Sequence, residues 1–408
     1  MKIVVVALQS LSANGLCAKA VIYELMRRGH EITWVCNREI DSSANLLPVA
    51  YVRIKPRCID RLLARFEGNR VATRIAIAVN RASMLRALRS WPLISKRYSK
   101  RVSRAVAAAS LEADVVIGVY TQIDAIIASH EAKKGNPRLR FIAWYLDSFT
   151  GGHGPRFLDA EEIERRGKHW NRQLLENADV VVAMESSKRF HEQHCCDEPW
   201  FGKLCFLDLP LLDINKTFDL QANVESSKTK VIVYAGTLPE GIRSPEFFVN
   251  VLSFIPNESL RVVFVGDESN RSLIEACARD RRIKVRGRVS HDEVLRLLSS
   301  ADYLLTLGNR LANMTPSKIF EYMAFRKPII ATYPIDSEPS LPYLERYGDA
   351  LMLDERGDPS LAAAQLVGFL NADHEPITFD ELKSRFWNNT PSAFCDLVET
   401  IGGEEDGR

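Results

Sequence analysis

Twice along this chain, short and nearly continuous apolar runs alternate with helical stretches. A strand that is apolar at every position is buried on both faces, and that happens where helices cover both sides of a parallel sheet. The first series of runs is Lys2–Ala7, Ile32–Cys36, Val49–Ile54, Asp114–Tyr120, Arg140–Asp147, Asp179–Met184 and Leu204–Leu207. The second is Lys230–Ala235, Arg261–Val265, Ile283–Val285, Asp302–Leu307, Pro328–Thr332 and Ala350–Leu353. The stretch from Pro210 to Thr229 is polar and aperiodic, as a linker would be. The doubled pattern predicts an α/β protein with two Rossmann-like, doubly wound parallel-sheet domains facing each other across a cleft. A chain of 408 residues, 46% hydrophobic, can fill two such cores. The expected domains are 1–210, carrying a basic helical segment over 53–104, and 229–375, with helices in 376–408 packing back toward the first.

In folds of this kind ligands collect at the carboxyl ends of the strands, and a cleft between two domains is the natural site. No G-x-G-x-x-G follows the first strand, which argues against a dinucleotide-dependent dehydrogenase. The eight cysteines suggest no disulfide framework, and Cys195-Cys196 after His191 and His194 fits no zinc spacing, so neither a metal nor a cofactor is expected. No apolar run is long enough to span a bilayer. The first apolar run stops at Gln9-Ser10, too short for a signal core, and it reads as a strand, so a cytoplasmic chain is expected.

The richest stretch runs from Gly308 through Thr315-Pro316-Ser317-Lys318-Ile319-Phe320-Glu321 to Pro328-Ile329-Ile330. A strand ends, a loop follows, and a helix is predicted to open with Thr315 as N-cap and Pro316 at its first position. The free N–H groups there would favour an anion, with Ser317 and Lys318 adding a hydroxyl and a cation. Glu321 lies one turn on, on the same face, where a carboxylate could accept two hydrogen bonds from a ribose diol. A capped amphipathic helix with Ile319, Phe320 and Met323 in the core would show the same spacing.

This stretch resembles the nucleotide-sugar signature of GT-B glycosyltransferases, in particular the large retaining family four. Further pieces are similar: Tyr234-Ala235-Gly236-Thr237-Leu238 resembles the strand and glycine turn opening the donor domain, Arg261–Gly266 the next strand, and Gly287-Arg288-Val289 with the helix after Ser290 the base-binding segment. In the first half only Gly15 and Gly29-His30-Glu31 resemble the family's opening β-loop-α-β. The resemblance implies that Glu321 holds the ribose hydroxyls, that the Thr315–Lys318 backbone holds the diphosphate, that Arg288 and Val289 flank the base, and that Gly236 admits the phosphates. It implies a nucleotide-sugar donor, with UDP the favoured carrier, and no metal.

Three departures stand out. The family's first motif glutamate falls at Asn313, which can hydrogen-bond to the donor sugar but supplies no charge. The usual arginine after the donor-domain glycine is Thr237, and the usual lysine is replaced by Glu240. Arg243 is then the candidate phosphate cation, although a plain surface arginine would read alike. In the first half, Asp147 ends a strand and His153 sits in the glycine-rich Gly151–Gly154 loop; both are catalytic candidates, and a turn cap and a loop residue are the plain alternatives.

Between Arg53 and Arg104 there are fifteen Lys or Arg and two acids, Asp60 and Glu67. Arg57, Arg61 and Arg65 recur at helical spacing opposite Leu62, Leu63 and Phe66, and Lys96, Arg97, Lys100, Arg101 and Arg104 share one arc. Such helices suit an anionic bilayer surface; a solvated face or an anionic soluble acceptor are the other readings. No nucleic-acid-binding motif accompanies the charge. The expected function is therefore transfer of a sugar to a glycan or lipid-linked acceptor at the inner face of the membrane, as in polysaccharide biosynthesis. A nucleotide-sugar epimerase of the same fold, or a non-catalytic nucleotide-sugar-binding partner subunit, are the alternatives.

Overall fold

The computed structural model describes residues 1–9, 12–37, 47–57, 78–79, 85, 88–120, 122–146, 158–212, 229–256, 259–266, 280–311 and 316–403. The chain divides into two compact units, Met1–Pro210 with Pro391–Arg408, and Leu211–Thr390.

In the first unit the order is β1 (Lys2–Val6), α1 (Ala13–Arg27), β2 (Glu31–Asn37), β3 (Ala50–Ile54), α2 (Lys96–Ala109), β4 (Val115–Val119), α3 (Ile123–Gly135), β5 (Arg140–Tyr145), α4 (Ala160–Leu175), β6 (Val180–Ala183), α5 (Lys188–His194) and β7 (Leu204–Phe206). The strands form one parallel sheet in the order β3-β2-β1-β4-β5-β6-β7. All five residues of β4 are buried, as their apolar run requires. The first helix shows how its ends are encoded. Ser12 accepts from the Gly15 amide at 3.1 Å as N-cap, and Gly29 turns the chain away with φ +84°, a conformation that costs glycine no Cβ clash.

The second unit repeats the plan with β8 (Lys230–Ala235), α6 (Glu246–Ser253), β9 (Leu260–Val265), β10 (Ile283–Arg286), α7 (His291–Ser300), β11 (Tyr303–Leu307), α8 (Lys318–Ala324), β12 (Ile329–Tyr333), α9 (Leu341–Tyr347), β13 (Ala350–Asp354), α10 (Pro359–Asn371) and α11 (Phe379–Arg385). Its parallel sheet runs β10-β9-β8-β11-β12-β13. Phe248, Leu252 and Phe264 are among the fully buried side chains of its core, each contributing on the order of 1.5–3 kcal/mol of burial. Every strand expected from the apolar runs is present, and each unit has the doubly wound form. The linker between Pro210 and Thr229 lies largely outside the described residues.

The last helix, α12 (Pro391–Gly403), returns to the first unit. Phe394 packs on Trp144 with ring centroids 4.1 Å apart, and Arg28 reaches Asp396 at 2.7 Å and Glu399 at 2.8 Å. The return begins at Pro391, so within the 376–408 stretch expected to fold back, residues 376–390 stay with the second unit. Helix α11 packs there against α9.

Ser290 and Glu293 stand three residues apart at the start of α7, the spacing of a capping box, and the box forms only by half. Ser290 accepts from the Glu293 amide at 3.3 Å, but the Glu293 carboxylate turns outward to Arg286 and Arg296 rather than back to the cap. The reciprocal box forms instead at Thr378 and Glu381.

Candidate functional site

In a sheet wound in the order 3-2-1-4-5-6, the crevice opens where consecutive connections leave for opposite faces, between the first and fourth strands. In the second unit that place lies between β8 and β11. Their pairing covers Ile232–Tyr303 and Val233–Leu304. Beyond that point β8 continues along β9 as far as Ala235 and β11 continues along β12 as far as Leu307. The carboxyl end of the sheet is thus split between its two central strands.

Tyr322 fills the split from α8. The Gly236 amide donates to Val265 on the β9 side at 2.9 Å, so the polar groups of Ala235 turn toward β11. There the Tyr322 hydroxyl accepts from the Ala235 amide at 2.8 Å and donates to the Ala235 carbonyl at 3.1 Å. Burial pushes the phenol well above its ordinary pKa, and Glu321 and Arg243 both lie within its electrostatic reach.

The loops leaving β8 and β11 are tied together just outside. The Arg310 amide donates to the Ile242 carbonyl at 3.0 Å, and Arg243 Nε donates to Asn309 Oδ1 at 2.6 Å. Asn309 is fully buried and Arg243 half-buried. The turn at Gly308 admits no side chain: an added Cβ would stand 2.7 Å from the Thr332 carbonyl oxygen. Gly236 is also close-packed, its Cβ position lying 3.0 Å from the Tyr234 hydroxyl, which itself donates to the Thr237 carbonyl at 2.9 Å. Thr237 is exposed beside it.

Helix α8 opens later than its sequence suggests. Ser317, with φ −59° and ψ −24°, occupies the N-cap position and makes no side-chain cap, and the Ile319 amide donates to the Pro316 carbonyl at 3.2 Å. A three-residue turn therefore precedes the helix, and Pro316 lies ahead of the first helical position rather than in it. Thr315 and Asn313 fall outside the described residues. Lys318 Nζ meets Glu321 Oε2 at 2.5 Å, with Glu321 the more buried of the two. The face shared by Ser317, Lys318 and Glu321 is polar and accessible, while Ile319, Phe320 and Met323 enter the core. Arg288 and Val289 follow the edge strand β10, Arg288 exposed and Val289 half-buried.

Farther along the same sheet edge, Thr332 Oγ1 donates to Glu355 Oε1 at 2.8 Å, and burial raises the Glu355 carboxyl above the usual range. Asn309, Tyr322 and Glu338 stand with these residues although the sequence did not single them out. Asn309 had a signal in its place at a strand's carboxyl end. Glu338, far along the chain from its partner Asn309, had none.

In the first unit, Gly15 sits in the first turn of α1 with its amide taken by Ser12, and Asn14 Nδ2 donates to the Tyr120 carbonyl at the end of β4 at 3.0 Å. Asp147, His153 and the loop around it fall outside the described residues, as do Arg61, Arg65, Leu62, Leu63 and Phe66. Helix α2 is described in full: Tyr98, Val102 and Val106 are buried, and Lys96, Arg97, Lys100, Arg101 and Arg104 are exposed on a helix that contains no acid. Among the described residues no cluster of three or more His, Cys, Asp or Glu could hold a metal, and no helix is long and apolar enough to cross a membrane. His191 is instead a core side chain, its Nδ1 2.8 Å from the Ser187 carbonyl oxygen and its ring edge-on to Trp200.

Comparison with known proteins places these observations. Residues 229–371, which contain the split sheet and its loops, match the model of the family described as glycosyl transferases group 1. The chain has the GT-B fold, and its second unit carries the part that the glycosyl transferases group 1 model matches. Its whole length superposes on sucrose-phosphate synthase from Thermosynechococcus elongatus, with a TM-score of 0.63, 11% identity and 99% of both chains covered. It is similar also to Anabaena HepE in complex with UDP-glucose (TM-score 0.57, 14% identity, 99% of this chain and 97% of that one). WaaG, a glycosyltransferase involved in lipopolysaccharide biosynthesis, matches with a TM-score of 0.57 at 10% identity, over 98% of this chain and all of the other (100%). No curated protein matches this chain by sequence.

Proposed function

We propose that this chain is a glycosyltransferase that moves a sugar from a nucleotide diphosphate sugar, a UDP-sugar first among them, to a glycan or lipid-linked acceptor at an anionic membrane surface, with retention and without a metal ion. The observation that carries the reading is Arg243. Its Nε is held by a buried asparagine at the split of the sheet, while its two terminal amino groups have no partner among the described residues. A guanidinium fixed by one nitrogen and open at the other two suits a diphosphate.

When the bond from the anomeric carbon to the diphosphate breaks, negative charge grows on the leaving oxygen while the sugar becomes oxocarbenium-like. Groups already in place stabilise that charge without reorganising. Arg243 does so from the loop after β8. Lys318 does so from α8, released from Glu321 as the ribose hydroxyls take the carboxylate. Gly236 lets the phosphates approach the backbone, and Arg288 and Val289 flank the base. Asn313, in place of the family's glutamate, offers the sugar an uncharged hydrogen-bonding group. Asp147 and His153 act on the acceptor side.

The acceptor reading rests on α2, whose exposed face presents five cations and no acid. Each adds on the order of 1 kcal/mol at an anionic membrane. A chain working there is placed at the cytoplasmic face, where nucleotide sugars are made.

The test is a thermal-shift screen of nucleotide sugars followed by Glu321→Ala. The variant should keep its fold and bind the donor about tenfold more weakly, in line with a lost charge-assisted hydrogen bond. Unchanged affinity would remove the donor site from α8. Product analysis separates the alternatives: epimerised donor without acceptor indicates an isomerase, and donor binding without nucleotide release in the presence of membrane extract indicates a non-catalytic subunit.

A further inference from the structure

Arg243 does not set its own position. Asn309 Oδ1 takes its Nε at 2.6 Å, and Asn309 is itself pinned from behind. Its amide donates to Glu338 Oε1 at 3.1 Å, and Glu338 Oε2 accepts from the Ser340 amide at 2.8 Å and from the Ser340 hydroxyl. Glu338 is 1% exposed and Asn309 0%. A carboxylate this deep, spending both oxygens on hydrogen-bond donors of two loops, is a fixed anchor rather than a group that meets solvent or substrate. On the other side, the Gly308 amide donates to the Thr332 carbonyl at 2.8 Å. Among the described residues, the loops after β8, β11 and β12 are therefore joined by a buried run of hydrogen bonds that reaches Arg243.

We propose that Glu338 and Asn309 are positioning residues for the transferase reaction, forming a relay that aims the Arg243 guanidinium at the diphosphate of the donor. This rests on the donor-site reading above. The relay accounts for how a chain with Thr237 and Glu240 at the positions where its relatives are expected to carry cations can still present one preorganised cation: the arginine comes from later in the loop and is steered by a neutral acceptor. Neutrality matters. Asn309 orients Nε without cancelling the charge, whereas an aspartate there would pair with Arg243 and compete with phosphate. The buried anion stands one step further back, where it holds the backbone.

The experiment is a double-mutant cycle on the full chain, read as affinity for UDP and, separately, for uridine 5′-monophosphate, with GDP, ADP and dTDP run in parallel to identify the preferred base. Arg243→Ala and Asn309→Ala should each weaken nucleoside diphosphate binding about tenfold, change monophosphate binding much less, and together cost no more than either alone, because they act as one unit. Glu338→Gln, which offers an NH2 where Ser340 needs an acceptor, should reproduce the diphosphate-selective loss. Asn309→Ser, too short to reach Nε but still polar, guards against misfolding of the alanine variant and should show the same loss at unchanged Tm. Additive losses in the cycle, or equal losses for mono- and diphosphate, would overturn the relay while leaving Arg243 in the site. Unchanged diphosphate affinity in Arg243→Ala would remove both the relay and the donor-site reading on which it stands.

Discussion

Replacing Tyr322 by phenylalanine isolates the hydrogen bonds that close the split in the second sheet. The ring stays, so the packing of a side chain that is 1% exposed is preserved. What goes is one oxygen, and with it both contacts to Ala235, at 2.8 and 3.1 Å. Because β8 has parted from β11 by that point, no neighbouring strand replaces the lost partner. An unsatisfied buried amide or carbonyl costs about 1–3 kcal/mol, and the carbonyl, with a second lone pair, sits at the low end. The sum is about 3 kcal/mol for the second unit. For a domain of this size that lowers the midpoint by about 6–12 °C. The assay is calorimetry with urea unfolding as a cross-check, reading the transition that donor binding shifts. Tyr234→Phe is the comparison, since the hydrogen bond it is shown to lose joins one carbonyl at the sheet's exit; it should cost about 1 kcal/mol. Amide exchange adds a local reading: protection at Ala235 should fall in Tyr322→Phe and persist in Tyr234→Phe. A Tm for Tyr322→Phe within about a degree of the wild type, with Ala235 still protected, would refute the view that the strands part here and that the phenol bridges them.

Gly308→Ala should destabilise the second unit by about 1–3 kcal/mol through overpacking against the Thr332 carbonyl and weaken donor binding with it, seen as parallel losses in Tm and in nucleotide affinity. Glu24, nearly buried and bonded to Arg27, Arg28 and Ser392, has its carboxyl held below the usual range, chiefly by Arg27. Its contribution to the first unit is present above its unfolded value of 4.5 and is lost as pH falls through its lower folded value. Glu24→Gln should cost about 3 kcal/mol at pH 7 and flatten the acid limb of the stability curve, measured by urea titration across pH 3–7. Reversing Lys100 and Arg104 to glutamate should reduce sedimentation with vesicles containing phosphatidylglycerol, leave binding to neutral vesicles unchanged, and spare donor affinity.

Sequence patterning exposed the strands because a parallel sheet covered on both faces leaves few polar positions in its central strands, so each short apolar run announces itself. The order of the strands and the place of the split were not read from the sequence; the pairing in the structure gives both. The start of the helix after Ser290 was legible because that side chain makes the cap; the start after Ser12, within a stretch of small residues, was not, and that of α8 was misread at Pro316, where Ser317 makes no side-chain cap. The fate of Glu293 was hidden because the competing arginine comes from the preceding strand: Arg286 takes the carboxylate that local spacing assigns to the cap. Arg243 could be suspected but not told from a surface arginine, since what distinguishes it is a contact with a residue on another loop. Glu338 was invisible for the same reason in stronger form: its role is wholly long-range, and nothing beside it in sequence marks it.

The two sheets share one winding and differ at the same place, which bears on where the chemistry belongs. In the first unit β1 and β4 stay paired from Ile3–Val115 through Val6–Gly118, and the exit beyond is stitched by Asn14 to the Tyr120 carbonyl. In the second, pairing between the equivalent strands ends two residues after it begins, and the gap is filled by a phenol and overhung by an arginine. A closed ladder satisfies its own backbone groups and offers a ligand little. An opened one must recruit side chains to satisfy them, and side chains brought to a strand exit for that purpose already stand where a diphosphate would lie. The split in the second sheet thus accounts for a buried tyrosine inside α8 whose hydroxyl serves both polar groups of Ala235.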